Sequence, residues 1–262
     1  MKILITGVAS GIGKATAKFF LENNHEVYGI DINKVEDTNN LHSFICDITN
    51  EDQLLKIKEE LETSNVQFDS IINIAGIHKM SSLVEDDYSK LKSVIDINLL
   101  GTILVNKTFH SLLKDRGRIL ITTSEVAPLD PMPFNSIYSI SKTALDAYAQ
   151  ALRQELNLIN QKVITIRPGA IKTPLANSSL EGTKLLASQT KLYKKQSHKF
   201  YNIVKNFMGV PIDPSKIGKL IYKASTVKHP KLIYKKHSNI GLMLLNILPK
   251  RLQCFIIKTL LK

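Results

Sequence analysis

Short apolar runs alternate with longer segments of helical period along the first 170 residues of the chain, and this alternation predicts an α/β fold. Strands are expected at residues 2–6, 26–30, 42–46, 69–74, 117–123 and 163–166, with a last one at 231–234 on the sheet edge. Helical patterns fall between them. One follows the first strand over 14–21; another runs over 51–62, apolar at Leu54, Leu55, Ile57 and Leu61. A third begins near Glu85 and carries Leu91, Val94, Ile95 and Ile97 inward, and a long one runs from Tyr138 to about Leu158 with Leu145, Tyr148, Ala149, Leu152 and Leu156 on its apolar face. Between the second and third strands the polar stretch 33–40 is too short for a full helix, so a turn is expected there.

The pattern changes after residue 174. Residues 175–208 are rich in Lys, Ser and Asn, with apolar positions at Leu185, Leu186, Leu192, Phe200, Ile203, Val204 and Phe207; Asp213 then caps another helix. From Ile240 to Leu248 the chain is almost wholly apolar, far short of the roughly 20 residues that cross a bilayer. Beyond Pro249, Leu252, Phe255, Ile256 and Leu260 fall on one side of a helix, and Arg251, Lys258 and Lys262 on the other. That is a basic amphipathic helix suited to an anionic membrane surface, to covering a pocket or to a subunit contact.

Composition bears on this last third more than on the rest. At 262 residues and 44% hydrophobic, the chain can bury a full core as one domain spanning 1–262, with 175–208 and the tail 239–262 as its appendages. The net charge of +12 is uneven: residues 1–180 carry 18 Lys and Arg against 21 Asp and Glu, whereas residues 181–262 carry 17 against 2. Such a basic third suggests an anionic partner or a lysine-rich solvated face. No aromatic-studded platform accompanies it, so nucleic acid is not expected. Cys46 and Cys254 lie far apart without metal-ligand spacing, so both are read as reduced, Cys46 inside a strand, and no metal site is expected. The sequence goes straight into the first strand, which predicts no secretion signal and a cytoplasmic location.

Two stretches carry candidate chemistry. The first is strand, glycine turn, helix: Gly7, Gly11 and Gly13 let the backbone approach a pyrophosphate at the positive end of the following helix. Asp31, 24 residues after Gly7, ends the second strand, where a carboxylate can accept hydrogen bonds from a ribose and repel a 2′-phosphate. The second stretch is Tyr138-Ser139-Ile140-Ser141-Lys142, in which a phenol and an ammonium stand one helical turn apart. A phenol titrates near ~10, and acid–base work near neutrality asks for a drop of roughly 3 units, toward which a neighbouring lysine pushes. Ser124, at the carboxyl end of the fifth strand, faces the same site, with Thr123 as its competitor. Asn98, an amide among apolar neighbours, needs partners, since burying it unpaired costs about 1 to 3 kcal/mol.

Thr6-Gly7-x-x-x-Gly11-x-Gly13 together with Tyr138-x-x-x-Lys142 resembles the short-chain dehydrogenase/reductase family, from Lys2 to about Pro174. The resemblance implies a Rossmann-type doubly wound parallel sheet of about seven strands, a nicotinamide cofactor, and oxidoreductase activity on a secondary alcohol or ketone. It implies a tetrad in which Tyr138 transfers the proton, Ser124 steadies the substrate oxygen, Lys142 tunes the tyrosine and binds ribose, and Asn98 holds a relay water. For the cofactor it implies Gly7, Ser10, Gly11, Ile12 and Gly13 at the phosphates, Asp31 at the ribose, Asp47 and Ile48 at the adenine, and Ala75 and Gly76 beneath the adenosine, with Asn73, counted among the cofactor residues, bracing the central sheet. Pro168, Gly169 and Ile171 are implied at the nicotinamide, alongside Tyr138 and Lys142, and Thr173 at the nicotinamide or a phosphate. Ile74 replaces an asparagine of the family's Asn-Asn-Ala-Gly element. NAD is expected over NADP, because Asp31 is acidic and Ser10 neutral where NADP users often carry a base. The resemblance further implies that 175–208 is a mobile substrate lid, that Met132 and Phe134 wall an apolar site, and that the long helix pairs subunits into a homodimer or homotetramer. A hydrophobic, lipid- or steroid-like alcohol is the expected substrate. The alternative is a regulatory protein that senses dinucleotides with the same fold.

Overall fold

Seven parallel strands form one sheet in the order β3-β2-β1-β4-β5-β6-β7, seen in a computed structural model that describes residues 1–207 and 211–262. The strands are β1 (Lys2–Thr6), β2 (Glu26–Asp31), β3 (Leu41–Ile45), β4 (Phe68–Asn73), β5 (Leu113–Thr122), β6 (Lys162–Pro168) and β7 (Ile233–Lys236). Being buried on both faces, the central strands are continuous apolar runs such as Ile3-Leu4-Ile5 and Ile119-Leu120-Ile121. After β3 the chain crosses back over β1 to start β4, so the loops at the carboxyl ends of β1 and β4 part and leave a crevice there.

Helices cover both faces. On one side α1 (Gly11–Glu22) and α8 (Ser215–Thr226) bury Phe20, Ile217 and Ile221 against Ile3, Ile5 and Ile164. On the other, α2 (Glu51–Thr63), α4 (Thr102–Phe109) and α5 (Ser136–Asn157) pack Leu54, Phe109 and Leu145 against Leu4, Ile71 and Ile119. The stripe expected on α5 is spent in this core: Leu145, Ala149 and Leu156 are buried, with Tyr148 and Leu152 packed beside them. α3 (Tyr88–Ile95) passes into α4 through a single π-helical turn, Asp96–Gly101, which periodicity did not reveal. As expected, no helix separates β2 from β3.

The region read as a lid is helical, α6 (Pro174–Gln189) and α7 (Lys194–Phe207); its last residue, Met208, lies outside the described residues. The tail forms α9 (Ile240–Ile247) and α10 (Lys250–Leu261), and Leu261 joins Met80, Phe134, Leu186, Phe200 and Val204 in a third apolar cluster. No described helix is long and apolar enough to cross a membrane. Most boundaries shift by a residue or a few, β7 from 231–234 to Ile233–Lys236 and the start of α3 from Glu85 to Tyr88 among them, and three shifts bear on the site or the core. β5 begins at Leu113, which pairs with Phe68 ahead of an irregularity that carries Lys114, Asp115 and Arg116 before Arg118 rejoins Ser70; α5 begins at Ser136, which puts Tyr138 in its first turn; and Cys46 is buried just past the end of β3 rather than inside it.

Candidate active site

A cavity of about 520 Å³ opens at the carboxyl ends of the strands and runs from the glycine turn to Tyr138. At its first end, β1 must turn abruptly into α1. Gly7 does so at φ +76°, a left-handed conformation that a side chain strains, with the Ala75 amide within 2.9 Å of where a Cβ would stand. Gly13 permits a closer approach still: a Cβ there would lie 1.8 Å from the Gly7 carbonyl oxygen. Ser10 makes no side-chain cap on α1, so the first amides of the helix, those of Gly11, Ile12 and Gly13, are left for an anion in the cavity.

Asp31 stands where β2 ends. Its carboxylate accepts from the Ala9 amide at 3.0 Å and the Asn33 amide at 2.9 Å, which fixes it beside the glycine turn. Across the crevice, the Thr6 hydroxyl accepts from the amides of Ile74 and Ala75 at 3.1 and 3.2 Å. Replacement of an asparagine by Ile74 therefore leaves that turn hydrogen-bonded.

At the other end, Ser124 follows β5 and hydrogen-bonds the Tyr138 phenol. Thr123 is turned away, its hydroxyl 3.4 Å from Asp146 Oδ1, and Asp146 is itself paired with Arg167 at 2.5 Å. Lys142 comes one turn after Tyr138; its Nζ donates to the Thr122 carbonyl at 3.1 Å and lies 5.9 Å from the centre of the Tyr138 ring. Burial dominates the electrostatics of both. It pushes the phenol up to about 12, which the Ser124 hydrogen bond partly opposes and the nearby Glu125 carboxylate reinforces. It pulls the Lys142 ammonium down to about 8. The expected lowering of the phenol by its lysine is thus not met in the protein alone, because desolvation outweighs a partner that distant.

The expected residues divide into those that line the cavity and those that stand behind it. Gly7, Ser10, Gly11, Ile12, Gly13, Asp31, Asp47, Ile48, Ala75, Gly76, Ser124, Tyr138, Lys142, Pro168, Gly169, Ile171 and Thr173 all line it, Thr173 lying against Gly11 and Gly76 beside Lys142. Asn73 does not reach it. That amide is buried in β4 and donates to Asn106 at 2.8 Å, whose own amide donates to the Tyr148 hydroxyl at 3.2 Å, so Asn73 braces β4, α4 and α5. Asn98 is walled off as well. Its oxygen accepts from the Ile77 amide at 2.8 Å, and its amide nitrogen donates to the Ile77 carbonyl and to Ser141 Oγ at 2.9 and 3.0 Å. A side-chain carbon on Gly76 would meet both Asn98 Oδ1 and Lys142 Nζ, at 3.0 and 3.6 Å. Met132 lines the cavity, whereas Phe134 packs behind the wall in the third cluster. Thr173 also caps α6 through its hydroxyl.

Sequence reasoning missed His78, Glu125 and the place of Leu242 in the cavity wall. His78 packs edge-on against Tyr138, ring centres 4.3 Å apart, and bonds Asn135 at 2.7 Å through Nε2. Glu125, half-enclosed, accepts from the Asn239 amide at 2.5 Å; its carboxyl is raised by burial. Leu242 of α9 and Phe200, Ile203 and Val204 of α7 form the apolar wall. The α7 positions were among the apolar residues expected in the lid.

A parallel α/β sheet with a glycine-turn crevice at one end of a cavity and a serine, tyrosine and lysine at the other defines a dinucleotide-dependent oxidoreductase. Residues 1–184 match the family model "short chain dehydrogenase", and the chain belongs to that family, whose members act on CH–OH and C=O groups. A relative named 3-ketodihydrosphingosine reductase, from Bacteroides thetaiotaomicron, is 26% identical over 230 residues, covering 87% of this chain and 84% of that one. An NADPH-dependent 1-acyldihydroxyacetone phosphate reductase from Schizosaccharomyces pombe is 32% identical over 186 residues, covering 68% of this chain and 62% of that one. Among solved structures, a 4-hydroxyisoleucine dehydrogenase complexed with NADH superposes at a TM-score of 0.70 and 23% identity, over 91% of this chain and 97% of that one. Both nicotinamide dinucleotides therefore occur among its relatives and structural neighbours.

Proposed function

We propose that the protein catalyses hydride transfer between a nicotinamide dinucleotide and a secondary alcohol or its ketone on a hydrophobic, lipid-like molecule. The observation that carries this reading is the meeting of Ser124, Tyr138 and Lys142 at one end of a cavity whose other end is the glycine turn. The residues fit the dinucleotide. The uncapped start of α1 suits its pyrophosphate, Asp31 its adenosine ribose, Asp47 and Ile48 its adenine, and Pro168, Gly169, Ile171 and Thr173 its nicotinamide end. When bound, it supplies the hydride donor or acceptor.

The remaining work falls to the chain. Tyr138 gives its phenolic proton to the substrate oxygen in reduction and takes it back in oxidation, and Ser124 donates a hydrogen bond to that oxygen as it gains charge. Lys142, anchored on the Thr122 carbonyl, hydrogen-bonds the ribose and when protonated favours the phenolate. Asn98 holds the Ile77 turn and Ser141 against the lysine, and a relay water on Asn98 would serve Lys142 from the same side. We favour NAD over NADP because the fixed carboxylate of Asp31 would repel a 2′-phosphate. The wall of Phe200, Ile203, Val204 and Leu242 suits an alkyl chain, in keeping with the two relatives named for lipid ketones. In this reading α6 and α7 act as the substrate lid, the protein works in the cytoplasm as a homodimer or homotetramer, and its basic amphipathic tail meets an anionic membrane surface.

The test is a fluorescence titration with NADH and NADPH on wild type and Tyr138→Phe. Expected are NADH binding about tenfold tighter than NADPH, unchanged binding in the variant, and a loss of turnover of about a thousandfold. Normal turnover by Tyr138→Phe would overturn the mechanism, and tighter NADPH binding would overturn the role of Asp31.

A further inference from the structure

The two tail helices turn apolar surface outward. α9 has no charged residue and divides into two faces. Leu242, Leu245 and Asn246 face the body, Leu242 forming part of the cavity wall, while Ile240, Met243, Leu244 and Ile247 are 72%, 46%, 60% and 78% exposed. Their spacing of three and four residues makes one continuous stripe on the solvent side. α10 repeats the arrangement. Gln253, Ile257 and Leu261 turn inward, and Leu252, Phe255 and Leu260 are left exposed. The basic residues beside them, Arg251, Lys258 and Lys262, have no ion pair among the described residues.

Two features choose the occupant of this surface. Apolar stripes flanked by unpaired cations suit an anionic lipid interface. A second copy of the chain would oppose one net +15 region to another. α9, about 12 Å long, is long enough to lie in the interface and too short to span it. It is also fastened to the catalytic loop at both ends. The Asn239 amide donates to Glu125, next to Ser124; the Asp130 amide donates to Asn246 at 2.6 Å, and Lys250 pairs with Asp130. One helix thickness therefore separates Leu242, inside the cavity, from Met243 and Leu244 outside.

We infer that α9 and α10 seat the mouth of the cavity on an anionic membrane, and that the substrate is a bilayer lipid whose reacting carbon lies close to its headgroup and reaches Tyr138 from the membrane side. The part concerning Tyr138 rests on the function proposed above; the membrane surface does not.

The test uses the full chain with vesicles of phosphatidylcholine, with and without phosphatidylglycerol. The protein should sediment with the anionic vesicles at low salt and be released by high salt, and Met243→Glu combined with Phe255→Glu should stay in the supernatant. An unchanged circular dichroism spectrum and NADH titration would show that the variant is folded. With 3-ketodihydrosphingosine in the vesicles as probe, the variant should lose turnover by about tenfold or more, yet keep its rate on a short water-soluble ketone. Failure of the wild type to sediment, or a dimer that the double variant abolishes, overturns the membrane surface. Equal turnover of the vesicle-borne ketone by both proteins overturns the route. If the wild type sediments but reduces no ketone, the redox reading and the lipid substrate fall together, and the anchor stands.

Discussion

Tyr138 and Lys142 begin with nearly equal pKa values in water, and burial drives them apart, to about 12 and about 8. The phenol keeps its proton, and the lysine, although burial disfavours its charge, is still mostly protonated at pH 7, so lowering the phenol further needs positive charge brought in with the cofactor. Next to them, His78 is held neutral: burial pulls its imidazole down to about 4, opposed by the Asn135 hydrogen bond and helped by the Lys142 ammonium, and among the described residues its Nδ1 has no partner. A depressed histidine leaves the unfolded chain binding the proton first. Stability is therefore full above the unfolded value of 6.5 and falls as pH drops from there to about 4, by about 3 kcal/mol. Urea unfolding at the two ends of that window should show the loss in wild type, and His78→Phe should lack that share of it; an identical loss in both would remove His78 as the cause. Nothing in the sequence announced His78 or Glu125. The glycines and the Tyr-Lys pair are local devices and could be read, whereas His78 meets Tyr138 only because β4 and α5 are neighbours in space.

The turn between β1 and α1 is the element most constrained by its sequence. Gly13→Ala would drive a methyl into the Gly7 carbonyl, so helix and turn must separate, at about 3 kcal/mol or more. Denaturant unfolding should show that loss, and NADH titration should show binding abolished. Gly182→Ala is the control. There the added carbon meets only the Met80 side chain and backbone at 3.5 Å or beyond, and helix propensity should make the change neutral or stabilising. Elements of this kind were legible because buried parallel strands must be apolar throughout and helices must show their period. Their edges were not. The polar start of β5 looks like a loop, and the extra residue of the π turn at Asp96–Gly101 leaves no mark on an apolar pattern. In α10 the period was read correctly, but a second apolar row through Ile257 and Leu261 takes the buried side, so the stripe read from the sequence is the exposed one.

At the scale of the molecule, two apolar layers sandwich the sheet, and the third cluster ties α6, α7 and α10 over the cavity. Leu261→Ala should loosen that cap at a cost of about 2 to 5 kcal/mol to the cluster. The expected result is a raised KM for a long-chain ketone with NADH affinity unchanged; a change in NADH affinity alone would contradict this division. All seven strands point the same way, so β7 discharges the chain at the very end of the sheet where β1, β4 and β5 deliver the glycine turn and Ser124. Whatever follows β7 arrives in front of the cavity without any rearrangement of the scaffold. Such a layout is modular. Exchanging the segment after Lys236 would change the cavity wall at Asn239 and Leu242 while the glycine turn, Ser124, Tyr138 and Lys142 stay on elements that precede it.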